Sequence, residues 1–139
     1  MPETKPVSLV LTSRQGTEET VQHLRGDLIR RSDTLYIRYE EPDPGPDGAK
    51  TRTMIKLSRN ELKIIRHGGV EAEQTFRSGS RTPGFYRSPF TRFNLSTDTV
   101  KLESRWDGAV GQVIWEYDLY VFEELSGRFE LSLHIQEDV

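Results

Sequence analysis

A two-residue alternation near the C-terminus constrains the fold more than any other feature of this chain. Val113, Trp115, Tyr117, Leu119 and Val121 share one parity, with Gln112, Glu116 and Asp118 among the residues between them. Successive side chains of an extended strand point to opposite faces, so the run reads as one long strand, buried on one side and wetted on the other. Phe129, Leu131, Leu133 and Ile135 repeat the pattern against Glu130, Ser132, His134 and Gln136. Residues 123–127 (EELSG) separate the two runs, which predicts an antiparallel hairpin of 111–122 with 127–136.

The same grammar recurs upstream in Val7/Leu9/Leu11, Leu35/Ile37/Tyr39, Thr53/Ile55/Leu57 and Val70/Ala72/Phe76. Apolar parity slips by one residue at Leu28-Ile29 and across 97–100, where β-bulges are expected. Turn residues at Ser32-Asp33, Asn60, Gly68-Gly69, Ser78-Gly79-Ser80 and Asp107-Gly108 divide the chain into nine or ten strands. Pro42, Pro44 and Pro46 exclude a central strand from 41–49, which is expected to be an exposed, mobile loop. Ser58-Arg59-Asn60-Glu61 matches a helix capping box, yet Ile64-Ile65 and the shortness of the segment favour a strand after it. Residues 1–6 are expected to be a flexible terminus. With no repeat and no linker, residues 1–139 read as a single all-β domain. Many strands in so short a chain leave a sandwich or a closed barrel, and closure removes aggregation-prone edges. A closed antiparallel barrel of eight to ten strands is the first choice.

Composition excludes several classes. There are no cysteines, so disulfides, thiol chemistry and cysteine-ligated metals are absent, which suits a reducing compartment. No apolar run approaches a membrane span and residues 1–6 (MPETKP) do not resemble a secretion signal, so the cytoplasm is expected. Residues 1–97 carry 16 basic and 12 acidic side chains, whereas 98–139 carry 3 and 10. Such asymmetry suits complementary strands of one sheet more than a nucleic-acid face.

From Arg66 the sequence runs RHGGVEAEQTFRSGSRTPGFYRSPFTRFNLST. The placement there of Arg66, Gly68, Val70, Gln74, Phe76, Gly79, Thr82, Tyr86, Phe90, Leu95 and Thr97 resembles the YwiB-like family of small bacterial proteins. Residues 26–41, with Tyr36, Tyr39 and Glu40, look similar too. The resemblance covers nearly the whole chain and implies a calycin-type, lipocalin-like barrel in the bacterial cytoplasm. It implies no activity, because the family is uncharacterised. Where the family tends to have glycine after the aromatic of its tyrosine-containing segment, Phe90 is here followed by Thr91, so a different turn is expected.

No catalytic or cofactor motif stands out. His23, His67 and His134 lie in separate segments without metal-ligand spacing, so no metal or cofactor is expected. Glu116 and Asp118 share a strand face, but it is the solvent side, and no nucleophile elbow or phosphate loop occurs. An enzyme is therefore not expected. Polar residues on core parity are more suggestive: Tyr39, Arg66, Gln74 and Tyr117 with Trp115, joined by Tyr86 from the family-like segment. Inside a barrel these would orient a small, partly apolar ligand, unless they satisfy one another, as Arg66 would by pairing with Glu41. The alternative is an interaction module with a filled core, using Arg77, Arg81, Arg87 and Arg92 interleaved with Phe85, Phe90 and Phe93 on its outer face. A net charge of −3 disfavours nucleic acid as its partner, while a homodimer is compatible.

Overall fold

A computed structural model describes residues 4–138. Ten strands occupy the chain: β1 (Thr4–Gln15), β2 (Glu18–Arg31), β3 (Thr34–Glu40), β4 (Thr51–Ser58), β5 (Glu61–Gly68), β6 (Glu71–Phe76), β7 (Arg81–Arg87), β8 (Arg92–Asp107), β9 (Val110–Val121) and β10 (Glu124–Glu137). Each pairs antiparallel with its sequence neighbours, and β1 pairs with β10 to close the barrel. The fold is all-β, as the alternation predicts, and no helix occurs among the described residues. The capping-box segment 58–61 spans a hairpin turn instead, because β-branched Ile64 and Ile65 pair with Ile55 and Met54 across β4–β5.

Register shows why the alternation matters. Tyr117 faces Phe129 and Trp115 faces Leu131 across β9–β10. On the other side Trp115 faces Leu102 and Tyr117 faces Thr99. Trp115 is fully buried with Phe76, Ile37, Leu62, Val113, Leu133 and Ile135. Phe76 packs tilted on the Trp115 and Tyr117 rings at 6.0 and 4.7 Å between centroids. The middle of the barrel is thus a packed core, and full burial of one large apolar side chain contributes about 1.5–3 kcal/mol.

Three local expectations change and one is met. Thr4, Lys5 and Pro6 pair with Ile29, Leu28 and Asp27, so these residues belong to β1 rather than to a flexible terminus; the rest of that expectation lies outside the described residues. The bulge expected at 97–100 occurs between Thr99 and Lys101. At Leu28-Ile29, by contrast, β2 pairs in unbroken register with both β1 and β3, because the strand there is simply half-buried on its outer side. Finally, β9 and β10 are joined by Phe122 and Glu123 alone, with Val121 opposite Glu124, and the segment 124–127 is already strand with a bulge before Gly127. Both turn residues have positive φ, 52° and 64°. That is the backbone of a type I′ hairpin turn, built here without the usual Asn or Gly.

The weakest seam lies between β6 and β7, which share only Glu71/Arg87, Ala72/Tyr86 and Glu73/Phe85. Past that point the Thr75 carbonyl accepts hydrogen bonds from the hydroxyls of Thr82 and, at 2.6 Å, Thr97. Gly84 makes the seam possible, since a Cβ there would stand 2.3 Å from the Glu73 carbonyl oxygen.

Candidate functional site

Alternate hairpin connections gather at one end of an up-and-down barrel. Those after β1, β3, β5, β7 and β9 ring the same mouth. A cleft of about 640 Å³ opens there, walled by Leu11, Gln22, Tyr39, Thr53, Ile64, Arg66, Val70 and Tyr86 and roofed on one side by Glu41 to Pro46. That volume falls within the roughly 300–1,000 Å³ typical of small-molecule sites.

The polar centre of the cleft is an ion pair. Arg66 on β5 donates from Nε to Oε2 and from Nη2 to Oε1 of Glu41, both at 2.7 Å. Thr53 on β4 donates its hydroxyl to Oε2 of the same carboxylate, also at 2.7 Å. Register accounts for the convergence: Tyr39 faces Thr53, Thr53 faces Arg66, and Glu41 continues the parity of Tyr39 just past β3. Burial works to raise the Glu41 pKa, but the Arg66 guanidinium and the Thr53 hydroxyl outweigh it and hold the carboxyl below its ordinary value. Glu41 holds Arg66 above its own, against a smaller opposing effect of burial. Burial likewise pushes up the Tyr39 hydroxyl, with Thr53 opposing.

The Pro-rich loop is exposed for most of its length, yet it is tied down. Glu41 N–H donates to the Thr51 carbonyl, Gly45 N–H to that of Ala49 and Gly48 N–H to that of Gly45. Gly45 lies so close to Gly69 in the next connection that a Cβ on it would stand 2.9 Å from the Gly69 Cα. These bonds hold the loop over one side of the mouth.

Of the six residues expected in the lumen, Tyr39, Arg66 and Tyr86 line the cleft. Trp115 and Tyr117 do not; they are core residues below it. Gln74 shares their parity and, with burial, sets the Tyr117 hydroxyl: burial pushes its pKa up while Gln74 pulls it down. Leu11, Gln22, Thr53 and Val70 were not singled out as site residues, although Leu11, Thr53 and Val70 carry core parity. Only closure of β1 and β2 beside β3 brings Leu11 and Gln22 into the wall.

The four outer arginines do not form one surface. Arg77 is paired with Glu61. Arg81 donates to Ser96 at 2.8 Å, reaches Glu123 at 3.3 Å and lies 3.8 Å over the Tyr120 ring. Arg87 and Arg92 instead face each other across β7–β8. Arg128 grips Asp118 at 2.8 and 2.9 Å and approaches Glu116 at 3.7 Å, so the two carboxylates of that strand face sit in a surface ion-pair cluster. Among the described residues no cluster of metal-ligating side chains occurs, and no helix is long and apolar enough to cross a membrane.

Comparison with known proteins extends these observations. A family described as a domain of unknown function (DUF1934) matches residues 7–133. An uncharacterised β-barrel protein of Bacillus subtilis strain 168, YwiB, is 29% identical over 129 residues, covering 89% of this chain and 88% of that protein. The crystal structure of YwiB from Bacillus subtilis superposes with a TM-score of 0.81 at 22% identity, over 99% of this chain and 96% of that one. At that identity the superposition shows a shared fold.

Proposed function

The chain belongs to the DUF1934 family, and from that starting point we propose that it is a non-catalytic barrel which holds a small, partly apolar molecule at its mouth. The observation that carries this reading is the 640 Å³ cleft, in which one neutralised ion pair sits among apolar walls. Leu11, Ile64 and Val70 supply apolar contact, whereas Gln22, Tyr39 and Tyr86 supply the few oriented polar groups that a small ligand needs. Because Glu41 already neutralises Arg66, the preferred ligand is uncharged. The packed core beneath the cleft limits the ligand to the mouth, in contrast to a barrel with a deep lumen. A lipocalin-like barrel topology, without the deep lipocalin lumen, and residence in the cytoplasm are parts of the same proposal, the second supported by the absence of cysteine.

Native mass spectrometry of protein purified from its own host tests the reading. A retained small molecule in one-to-one ratio, lost on denaturation, is the expected result. Protein of bare chain mass that also takes up no member of a library of apolar amides and esters would overturn it.

A further inference from the structure

Two local costs converge on one corner of the mouth, at the β7–β8 hairpin and the β9–β10 turn. Arg87 and Arg92 stand directly opposite each other, and like charges so placed repel. Glu71 lies in register with Arg87 on its other side, but its carboxylate is engaged by His67 Nδ1 at 2.8 Å and by the Gly68 N–H at 3.4 Å. Among the described residues neither arginine has a carboxylate within ion-pair distance, in contrast to Arg77, Arg81 and Arg128. The second cost is the Phe122-Glu123 turn, whose positive φ values are unfavourable for both residue types. This turn leaves the Phe122 ring 74% exposed beside the arginine pair.

The corner is shaped as well as charged. A cleft of about 480 Å³ lies between Arg87, Arg92, Phe93, Asn94 and Phe122. Tyr86 and Phe93 stack at 5.2 Å, and Phe93 meets Phe122 at 6.0 Å, so three rings form a row along the rim. Phe90, at the tip of the same hairpin, is 75% exposed. Strain retained at one spot points to function rather than to packing, since a relaxed turn and one acidic replacement would remove both costs.

We infer that this corner is a nucleotide-binding surface, with the phosphate between Arg87 and Arg92 and the base on the exposed Phe122 ring, which Phe93 backs from the inner side. Guanidiniums match phosphate oxygens geometrically, and aromatic faces accept any base by stacking. The net charge of −3 repels a polyanion at long range, so the binding is local, modest and strongly salt-sensitive. The site is separate from the proposed mouth ligand, with Tyr86 as the wall common to both clefts.

Fluorescence anisotropy with a labelled ten-nucleotide single strand, and competition by AMP, at about 50 mM salt, provide the test. The expected result is saturable binding that weakens at least about tenfold in the R87A/R92A double variant and is unchanged in R77A. The log–log salt slope should fall by about 0.7 for each phosphate contact removed. Competition by AMP at comparable concentration identifies a free nucleotide, and failure of AMP to compete identifies a strand; both agree with the inference. Thermal melts should show the double variant at least as stable as the wild type, because it loses only repulsion. Absence of binding to both probes, or equal loss in R77A, would overturn the inference. So would binding to anionic vesicles or self-association that depends on Arg87 and Arg92 while nucleotides leave it unaffected.

Discussion

Arg66 holds Glu41 through two parallel hydrogen bonds of 2.7 Å, and in doing so joins β5 to the start of the Pro-rich loop. The pair is half-buried, so it is worth more than an exposed one. Removing the guanidinium in Arg66→Ala leaves a carboxylate with only Thr53 for company and should cost about 1.5–3 kcal/mol. Urea unfolding at pH 7 measures it.

The same pair fixes a pH dependence. Because the folded-state pKa of Glu41 is lowered, its contribution to stability is present above the ordinary carboxylate value and is lost as pH falls through the lowered one. Glu41→Gln should therefore be less stable than the wild type at pH 7, and the gap should narrow as acid protonates Glu41. A gap that stays constant from pH 7 down to pH 3 would show that ionisation of Glu41 is irrelevant.

Parity in β9 predicts unequal losses for adjacent residues. Trp115→Ala opens a cavity in the packed core and should cost roughly 3–5 kcal/mol. Glu116→Ala on the outer face gives up a 3.7 Å approach to Arg128 and should cost about 0.5 kcal/mol or less. Equal losses, read from denaturant midpoints, would contradict the register.

At Gly84 backbone meets backbone, whereas at Gly127 the nearest group is the end of a flexible side chain. A Cβ at Gly84 would sit 2.3 Å from the Glu73 carbonyl oxygen, but one at Gly127 would crowd the end of the Gln15 side chain, Nε2 at 2.7 Å, and touch Phe129 at an ordinary 3.6 Å. Gly84→Ala should accordingly cost about 1–3 kcal/mol by prising open the three-pair β6–β7 seam, while Gly127→Ala should be close to neutral. Hydrogen exchange at the amides of β6 would locate the damage.

Replacing Phe122-Glu123 by Asn-Gly supplies the residues that a type I′ turn favours. Stability should rise by about 1–2 kcal/mol, because two side chains leave the left-handed region. A fall in melting temperature would mean that the Phe122 ring stabilises the corner more than its backbone strain costs.

The sequence is legible wherever a side chain has only two faces to choose between. Trp115, Ile37 and Leu62 alternate cleanly, so the barrel and its inner face follow from parity alone. Pairing of Arg66 with Glu41 was also accessible, since both carry core parity at the same end. What parity cannot encode is how far one strand slides along the next. Leu11 and Gln22 enter the mouth only through closure of β1 on β10 and of β2 on β3. The Phe122-Glu123 turn was hidden for a different reason: neither residue favours positive φ, and the EELSG run beside it carried stronger turn residues. Prolines in 41–49 announced a loop, but nothing local shows that Gly45 docks on Gly69 of the neighbouring β5–β6 connection.

The proposed ligand is small, uncharged and partly apolar, and it sits at the mouth and not in the core. Titration of the wild type with an uncharged environment-sensitive dye such as Nile red, beside Gln22→Trp, tests it most directly. Gln22 lines the cleft and is only half-buried, so an indole there fills the site without disturbing the packed layer around Trp115. One saturable site on the wild type is expected, with a loss of at least about tenfold in affinity, equivalent to about 1.4 kcal/mol, in Gln22→Trp with the fold intact by circular dichroism. Equal affinity for the two proteins, or no saturable binding to the wild type, would contradict it.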